Sequence, residues 1–352
     1  TSVSVTNAYK PIVKSSTSEY SSSKVLEKLL ERSDNQDFSV DSIEDVREFL
    51  LGISAEEFFK IYANRPSYEE IPLLTADGIA IPFIGLKNSL ISKEHVNIVP
   101  TIAGSNRDEV KLWLATARYF VDLDYSLLGS LLKVPKVKLA DKKSFEAFNF
   151  YRSAAWKIRG VDDPLTSLAL TGNDQLFAYR YDWDDHRRLV IADFKQLIGA
   201  AHATEIPLLT GSNDLVGGYP LSDFIYPPSF SKRYTSKNMM KFWTNFAKFG
   251  APGSSSNSVI WKPYTKQNQN FLIIDKKKNL KMSSDVKSFE GLISLLVNDD
   301  RPTDLEKCVI LYQMFTFVGD DIYEDYISKY PKKCSRDDSE KFLIDNASFI
   351  EY

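Results

Sequence analysis

The chain has 352 residues, 43% of them hydrophobic, which is enough for one large α/β unit or two smaller domains and excludes a disordered tail. Its 44 basic and 47 acidic side chains leave a net charge of -3, so no overall field favours nucleic acid or an anionic membrane surface. No apolar run approaches the roughly 18 residues of a membrane span, and two cysteines with three histidines do not compose a Cys-rich zinc site.

The elements predicted for the first hundred residues are helical, then extended. Lys24 to Arg32 places Val25, Leu26, Leu29 and Leu30 on one face, and Ser54-Ala-Glu-Glu57 is a capping box that leads into Phe58, Phe59 and Tyr62. Both read as amphipathic cover helices. The stretch from Ile71 to Pro82, punctuated by Asp77-Gly78, has little helical character. Val96 to Gly104 predicts a buried strand interrupted at Pro100, which sets Glu109 on the loop or first helical turn that follows.

Gln175 to Trp183 alternates aromatic and polar residues as a second strand does, and charged Asp184-Asp-His-Arg-Arg188 then reads as a flexible segment. His202 falls on a loop within Ile191 to Gly218. Thr235 or Ser236 is the expected cap of a helix bearing Met239, Trp243 and Phe246 and closed by Gly250 and Pro252. Ser254 to Ser258 reads as a flexible surface loop, Phe271 to Ile274 as a short strand, and Thr303-Asp-Leu-Glu306 as the cap of a last apolar helix. Strands alternating with helices imply an α/β fold with a mostly parallel central sheet and helices on both faces.

Cys308 lies in that last apolar run and Cys334 near the tail, and the sequence leaves both two thiols and one disulfide open. The short clusters Lys276-Lys-Lys278 and Lys332-Lys333 read as solvated surface.

The candidate chemistry rests on Glu109 and His202. An imidazole fixed by a carboxylate can take a proton from a hydroxyl and return it to a leaving group. Hydrolases of the α/β type order their triad as nucleophile, acid, histidine, with the nucleophile on a Gly-x-Ser-x-Gly turn. The acid and the histidine stand in that order here, while no two of the 15 glycines are four positions apart, so the chain has no such turn. His95 and His186 have no comparable context and read as surface or structural residues.

Four ordered segments carry a family resemblance. They are Asp77-Gly78 with Ile81-Pro82, Gly104-Ser-Asn106-Arg-Asp108-Glu109, Gly199-Ala-Ala-His202-Ala-Thr-Glu205 through Gly211, and Trp243-Thr-Asn245-Phe246 through Pro252 with Trp261-Lys-Pro-Tyr264. Together they resemble the type-B carboxylesterase and cholinesterase family of the α/β-hydrolase fold, with Val110 standing where the family has a glycine after the acid. The resemblance implies that the chain is the C-terminal part of one α/β-hydrolase domain. Residues 1–95 would form the helical cover and approach, 96–300 the sheet part with the acid and histidine, and 301–352 the C-terminal helices.

It further implies a serine carboxylic-ester hydrolase without cofactor or metal. Glu109 would orient His202, and an N-terminal chain of the same hydrolase would carry the Gly-x-Ser-x-Gly serine and the oxyanion hole for a small-molecule ester. Glu205 would anchor the histidine loop or form a plain salt bridge. The rival from another class is a catalytically silent cholinesterase-like domain used for protein recognition, against which the retention of both Glu109 and His202 counts.

Overall fold

The computed structural model describes residues 22–32, 42–61, 78–125, 136–212, 222, 225–317 and 320–349. Two compact units are present, one within 5–89 and the other within 90–317 and 321–352. The first holds helices Ser22–Arg32, Ile43–Gly52 and Ala55–Lys60 around Val25, Leu29, Phe49 and Ile61. Ser54 does cap its helix by accepting from Glu57 N, while the reciprocal box forms one helix earlier, between Ser42 and Asp45. Tyr62, Asp77 and the stretch before Gly78 lie outside the described residues.

In the second unit the chain builds strands β1 (Thr101–Asn106), β2 (Val121–Asp124), β3 (Lys136–Leu139), β4 (Leu176–Tyr181), β5 (Phe271–Ile274) and β6 (Lys281–Ser283). The central sheet has the order β1-β4-β5-β6, and its first two pairings are parallel, with Thr101 opposite Leu176 and Ala178 opposite Phe271. Only β6 runs antiparallel, and β2 and β3 pair as a separate hairpin. The α/β class and the mostly parallel sheet expected from the sequence are therefore both present.

Residue alternation in the strands shows why both faces are covered. Phe177 and Tyr181 of β4, with Leu272 and Ile274 of β5, join Met239, Phe242 and Trp261 in one cluster, while Leu176, Ala178 and Phe271 join Val161, Leu165 and Tyr264 in another. Successive side chains of a strand point to opposite faces, so a strand apolar at every position must be buried twice. Helix Phe230–Phe249 covers the first face and helix Asp163–Leu170 the second. A further core joins helices Lys142–Lys157, Phe289–Val297 and Asp304–Phe315.

Several boundaries differ from the sequence reading. β1 starts after Pro100 rather than at Val96, because a proline has no N–H for the ladder, and it runs on to Asn106. The long helix begins at Phe230 under a Ser229 cap that accepts from Lys232 N, one and a half turns before Thr235 and Ser236. Ser236 instead donates to the Leu208 carbonyl at 2.7 Å. Gly250 closes that helix at φ 69°, the left-handed conformation glycine adopts at least cost. The serine loop is not loose: Ser255 is buried, its hydroxyl accepts from Val259 N, and Asn238 accepts from Ser256 N at 2.8 Å. Thr303 and Glu306 form the expected capping box, and Cys308 is bonded to Cys334.

Candidate active site

β1 carries the acid to the site, and its parallel pairing with β4 fixes the register. Asn106 ends β1 opposite Tyr181, and Arg107 N continues the ladder by donating to the Tyr181 carbonyl at 2.8 Å. The chain then turns tightly into the short helix Lys111–Leu114. This turn aims the side chains of Asn106, Asp108 and Glu109 at the loop that bears His202.

Glu109 is buried, and its Oε2 lies 2.8 Å from His202 Nδ1. Its other oxygen, Oε1, accepts from Asn106 N at 2.7 Å, which locks the carboxylate plane. His202 N in turn donates to the Glu109 carbonyl at 3.1 Å. The imidazole side chain is 42% exposed, Nε2 lies across the ring from the acid-bound Nδ1, and among the described residues nothing bonds it. The hydrogen bond to Glu109 raises the His202 pKa above its usual 6.5, against the desolvation that lowers it.

Three further residues hold the histidine loop. Asp108 N donates to the Ala200 carbonyl and Asp108 Oδ2 accepts from Ala200 N at 2.9 Å, a reciprocal clasp like one rung of a sheet. Asn106 Nδ2 donates to the Ala201 carbonyl at 2.7 Å and to Glu205 Oε2 at 2.5 Å. His186 spans the loop from the far side, with Nε2 2.7 Å from the Gly199 carbonyl and Nδ1 2.9 Å from that of Ile225. Gly199 has φ 57°, and a Cβ there would stand 2.5 Å from Asp108 Oδ2, so both its conformation and the clasp exclude a side chain. Ala203, just after the histidine, is held at φ 65° without being glycine, a sparsely populated conformation of the kind that surrounding structure must impose.

The electrostatics of Asp108 explain why a second acid sits beside Glu109. Burial pushes its pKa up, but the charges of Arg107 and Lys111 outweigh that and hold it down to about 2. Arg107 Nη2 lies 2.6 Å from Asp108 and 3.0 Å from Asp184, and Asn149 Nδ2 donates to Asp108 Oδ1 at 2.6 Å. Asp108 is thus saturated by partners, whereas among the described residues the Glu109 side-chain oxygens bond Asn106 N and the histidine.

The structure brings Glu109, His202 and Glu205 together and places His186 in the support of the same loop. His186 is buried, so of its two expected readings the structural one holds, and the segment from Asp184 to Arg188 is pinned rather than flexible. Glu205 bonds the Asn106 amide, with no ion pair to a lysine or arginine among the described residues, and burial raises its pKa. His95 is exposed and lies outside the site. Sequence reasoning gave no role to Asp108 or Asn106, although both stand inside the quoted motif. It also missed two tryptophans: the rings of Trp113 and Trp156 each lie 5.5 Å from the His202 ring and 6.1 Å from each other. Trp113 follows Glu109 by four residues, one helical turn, and that spacing was the available signal.

Comparison with known proteins meets the resemblance from a second direction. Residues 160–290 match the sequence model of the carboxylesterase family, a stretch that holds His202 and the Trp243 to Tyr264 motifs. Bile salt-activated lipase of Homo sapiens is 33% identical over 103 residues, which are 28% of this chain and 12% of that protein. The Rattus norvegicus protein of the same name is 35% identical over 102 residues, 28% of this chain and 15% of its own length. The matched stretch is therefore a small part of those relatives. Among solved structures, a carboxylesterase of Geobacillus stearothermophilus superposes with a TM-score of 0.47 and 16% identity over 75% of this chain and 51% of its own. A PNB esterase superposes with a TM-score of 0.47 and 18% identity over 74% and 50%. Residues 160–290, which hold His202 and helix Phe230–Phe249, thus match the carboxylesterase family.

Proposed function

We propose that the chain supplies the acid and the histidine of a serine carboxylic-ester hydrolase, with the serine and the oxyanion hole on a separate N-terminal chain of the same α/β-hydrolase domain. The observation that carries this reading is the 2.8 Å contact between buried Glu109 Oε2 and Nδ1 of the part-exposed His202, which leaves Nε2 without a bond among the described residues. A carboxylate bonded to Nδ1 fixes the tautomer whose Nε2 is a lone pair, and it stabilises the imidazolium formed when Nε2 takes a proton. The incoming hydroxyl would attack the ester carbonyl as its proton moves to Nε2. The protonated ring would then return that proton to the departing alcohol, leaving an acyl-enzyme for water to resolve by the same steps.

Two features support the second chain. No Gly-x-Ser-x-Gly turn exists in the sequence, so no serine here has the backbone that presents a hydroxyl to such a histidine. Among the described residues β1 pairs only with β4, and its other edge offers unmatched N–H and C=O groups to another strand.

The test is purification of the protein with its associated polypeptides, mass spectrometry of each, and assay on short activated esters. The reading expects a partner containing Gly-x-Ser-x-Gly and ester turnover by the complex. A folded, partner-bearing preparation without turnover would favour the silent recognition domain instead.

A further inference from the structure

A cavity of about 40 Å³ lies beside the candidate site, lined by Val110, Arg152, Ala155, Trp156, Arg159, Gln313 and Met314. Two of these residues tie it to the acid and the histidine. Trp156 has its ring 5.5 Å from that of His202, and Val110 follows Glu109 directly, with its N–H on Ser153 Oγ at 3.3 Å. Val110 is also the position where the family resemblance breaks. The wall opposite in sequence is formed where helix Lys142–Lys157 passes into a π-helical turn, Ile158–Asp162, a local distortion that often accompanies a binding or catalytic site.

The chemistry of the lining is specific. Arg159 is committed to structure, its Nε and Nη2 donating to the Met314 carbonyl and its guanidinium lying over Phe289. Arg152 is not: it is partly buried, and among the described residues it has no hydrogen bond and no ion pair. Burial alone lowers its pKa, to about 10, with no neighbouring carboxylate to offset the loss of solvent. Gln313 likewise has a buried Oε1 without a partner, and a half turn of its amide presents the NH2 donors to the same space. A desolvated cation with no counter-charge is costly unless an anion arrives to pair with it.

We propose that this cavity is a carboxylate subsite in which Arg152 receives the anionic end of a small ligand, one indole ring from His202. One water-sized group needs about 10–15 Å³ of such space, so the cavity has room for about three, the carbon and two oxygens of a carboxylate. The planar guanidinium fork matches the two carboxylate oxygens, and the Gln313 amide can add a third donor. The place of this subsite in turnover, as a site for carboxylate-bearing esters or for the acid released from them, rests on the ester-hydrolase reading. Ligand binding to it does not.

The test is titration of the protein, with any polypeptide that accompanies it, with sodium propionate at an ionic strength held constant with sodium chloride. The side-chain Nε–H resonance of Arg152, identified by its loss in R152Q, reports occupancy. The subsite predicts a saturable shift of that resonance. In the variants, ring-current-shifted signals of Trp156 replace it as the reporter: R152K should weaken propionate binding about tenfold, and R152Q should abolish it without lowering the melting temperature of the protein. Absence of saturation in the wild-type protein overturns the proposal, as does undiminished binding in R152Q or equal displacement by chloride. If R152Q does not fold, the wild-type and R152K titrations decide. Propionate binding with no ester turnover would overturn the hydrolase reading and leave the subsite standing.

Discussion

Glu109 grips His202 twice, accepting from its backbone N–H at 3.1 Å and standing 2.8 Å from its Nδ1. Glu109 therefore sets the rotation of the imidazole and shares the holding of the histidine loop with Asp108 and Asn106. Removing the carboxylate charge while keeping the side-chain shape separates these two roles, because the backbone bond survives.

The pH dependence of turnover follows from that pair. The hydrogen bond raises the His202 pKa above 6.5, and only the neutral imidazole can accept the serine proton. The acidic limb of the kcat/KM profile of the complex should therefore have its midpoint above pH 6.5. Glu109→Gln should move that midpoint down and cut kcat by at least about a hundredfold, with an unchanged melting temperature. A midpoint that stays in place in this variant would remove Glu109 from the role of orienter. For stability the sign is the reverse of a carboxylate's: the raised pKa favours the folded state fully below pH 6.5, and this contribution is lost as the pH rises through the folded-state value.

Asp108 should dominate the acid response of the histidine loop. Its pKa is held down to about 2 against an ordinary 3.8, so its contribution is present above pH 3.8 and disappears as the pH falls toward 2. The magnitude is on the order of 2 kcal/mol. Asp108→Ala should destabilise the protein and lower kcat through displacement of Ala200 and His202, and Asp108→Asn should recover part of both. Urea titrations at pH 7 and pH 3 check the first, and the KM of the complex, expected to change less than kcat, separates positioning of the base from substrate binding.

Gly199→Ala should be as damaging as a substitution in a packed core, although the loop lies beside the accessible histidine. The added methyl meets both a positive φ and the Asp108 carboxylate at 2.5 Å. A fall in melting temperature with a matching loss of turnover is expected, while Gly52→Ala, where a Cβ meets nothing within 4 Å, should leave both unchanged.

The Cys308 to Cys334 bond closes a loop of sequence separation 26 in the C-terminal helices. Chain entropy assigns such a crosslink about 3 kcal/mol. Reduction, or Cys308→Ala with Cys334→Ala, should lower the denaturation midpoint accordingly. The Glu109 and His202 geometry, carried by β1 and its facing loop, should persist, which unchanged kcat of the complex at low temperature would show.

Much of the sheet was legible in the sequence because its strands are apolar at consecutive positions, as Phe271 to Ile274 shows, and because a proline marks a strand start, as Pro100 does before β1. The start of helix Phe230–Phe249 was not: Ser229, Thr235 and Ser236 are all competent caps, and the choice among them depends on packing against Leu208, a residue distant in sequence. At the site, Glu109 and His202 were visible as motif positions, but the roles of Asp108 and Asn106 lie in bonds to Ala200 and Ala201 that no local pattern encodes. Trp156 and Arg152 were equally silent. Both sit on helix Lys142–Lys157, to which the sequence reading assigned no element, and only the fold turns one toward His202 and the other into a cavity.

The claim that His202 and Glu109 activate a serine outside this chain is tested most directly by a fluorophosphonate, which phosphonylates an activated serine with loss of fluoride, followed by intact-mass measurement of each polypeptide of the complex. The account predicts one adduct on the partner, none on the 352-residue chain, and none anywhere in the His202→Ala complex. A stoichiometric adduct on the 352-residue chain, or equal labelling of the His202→Ala complex, would contradict it.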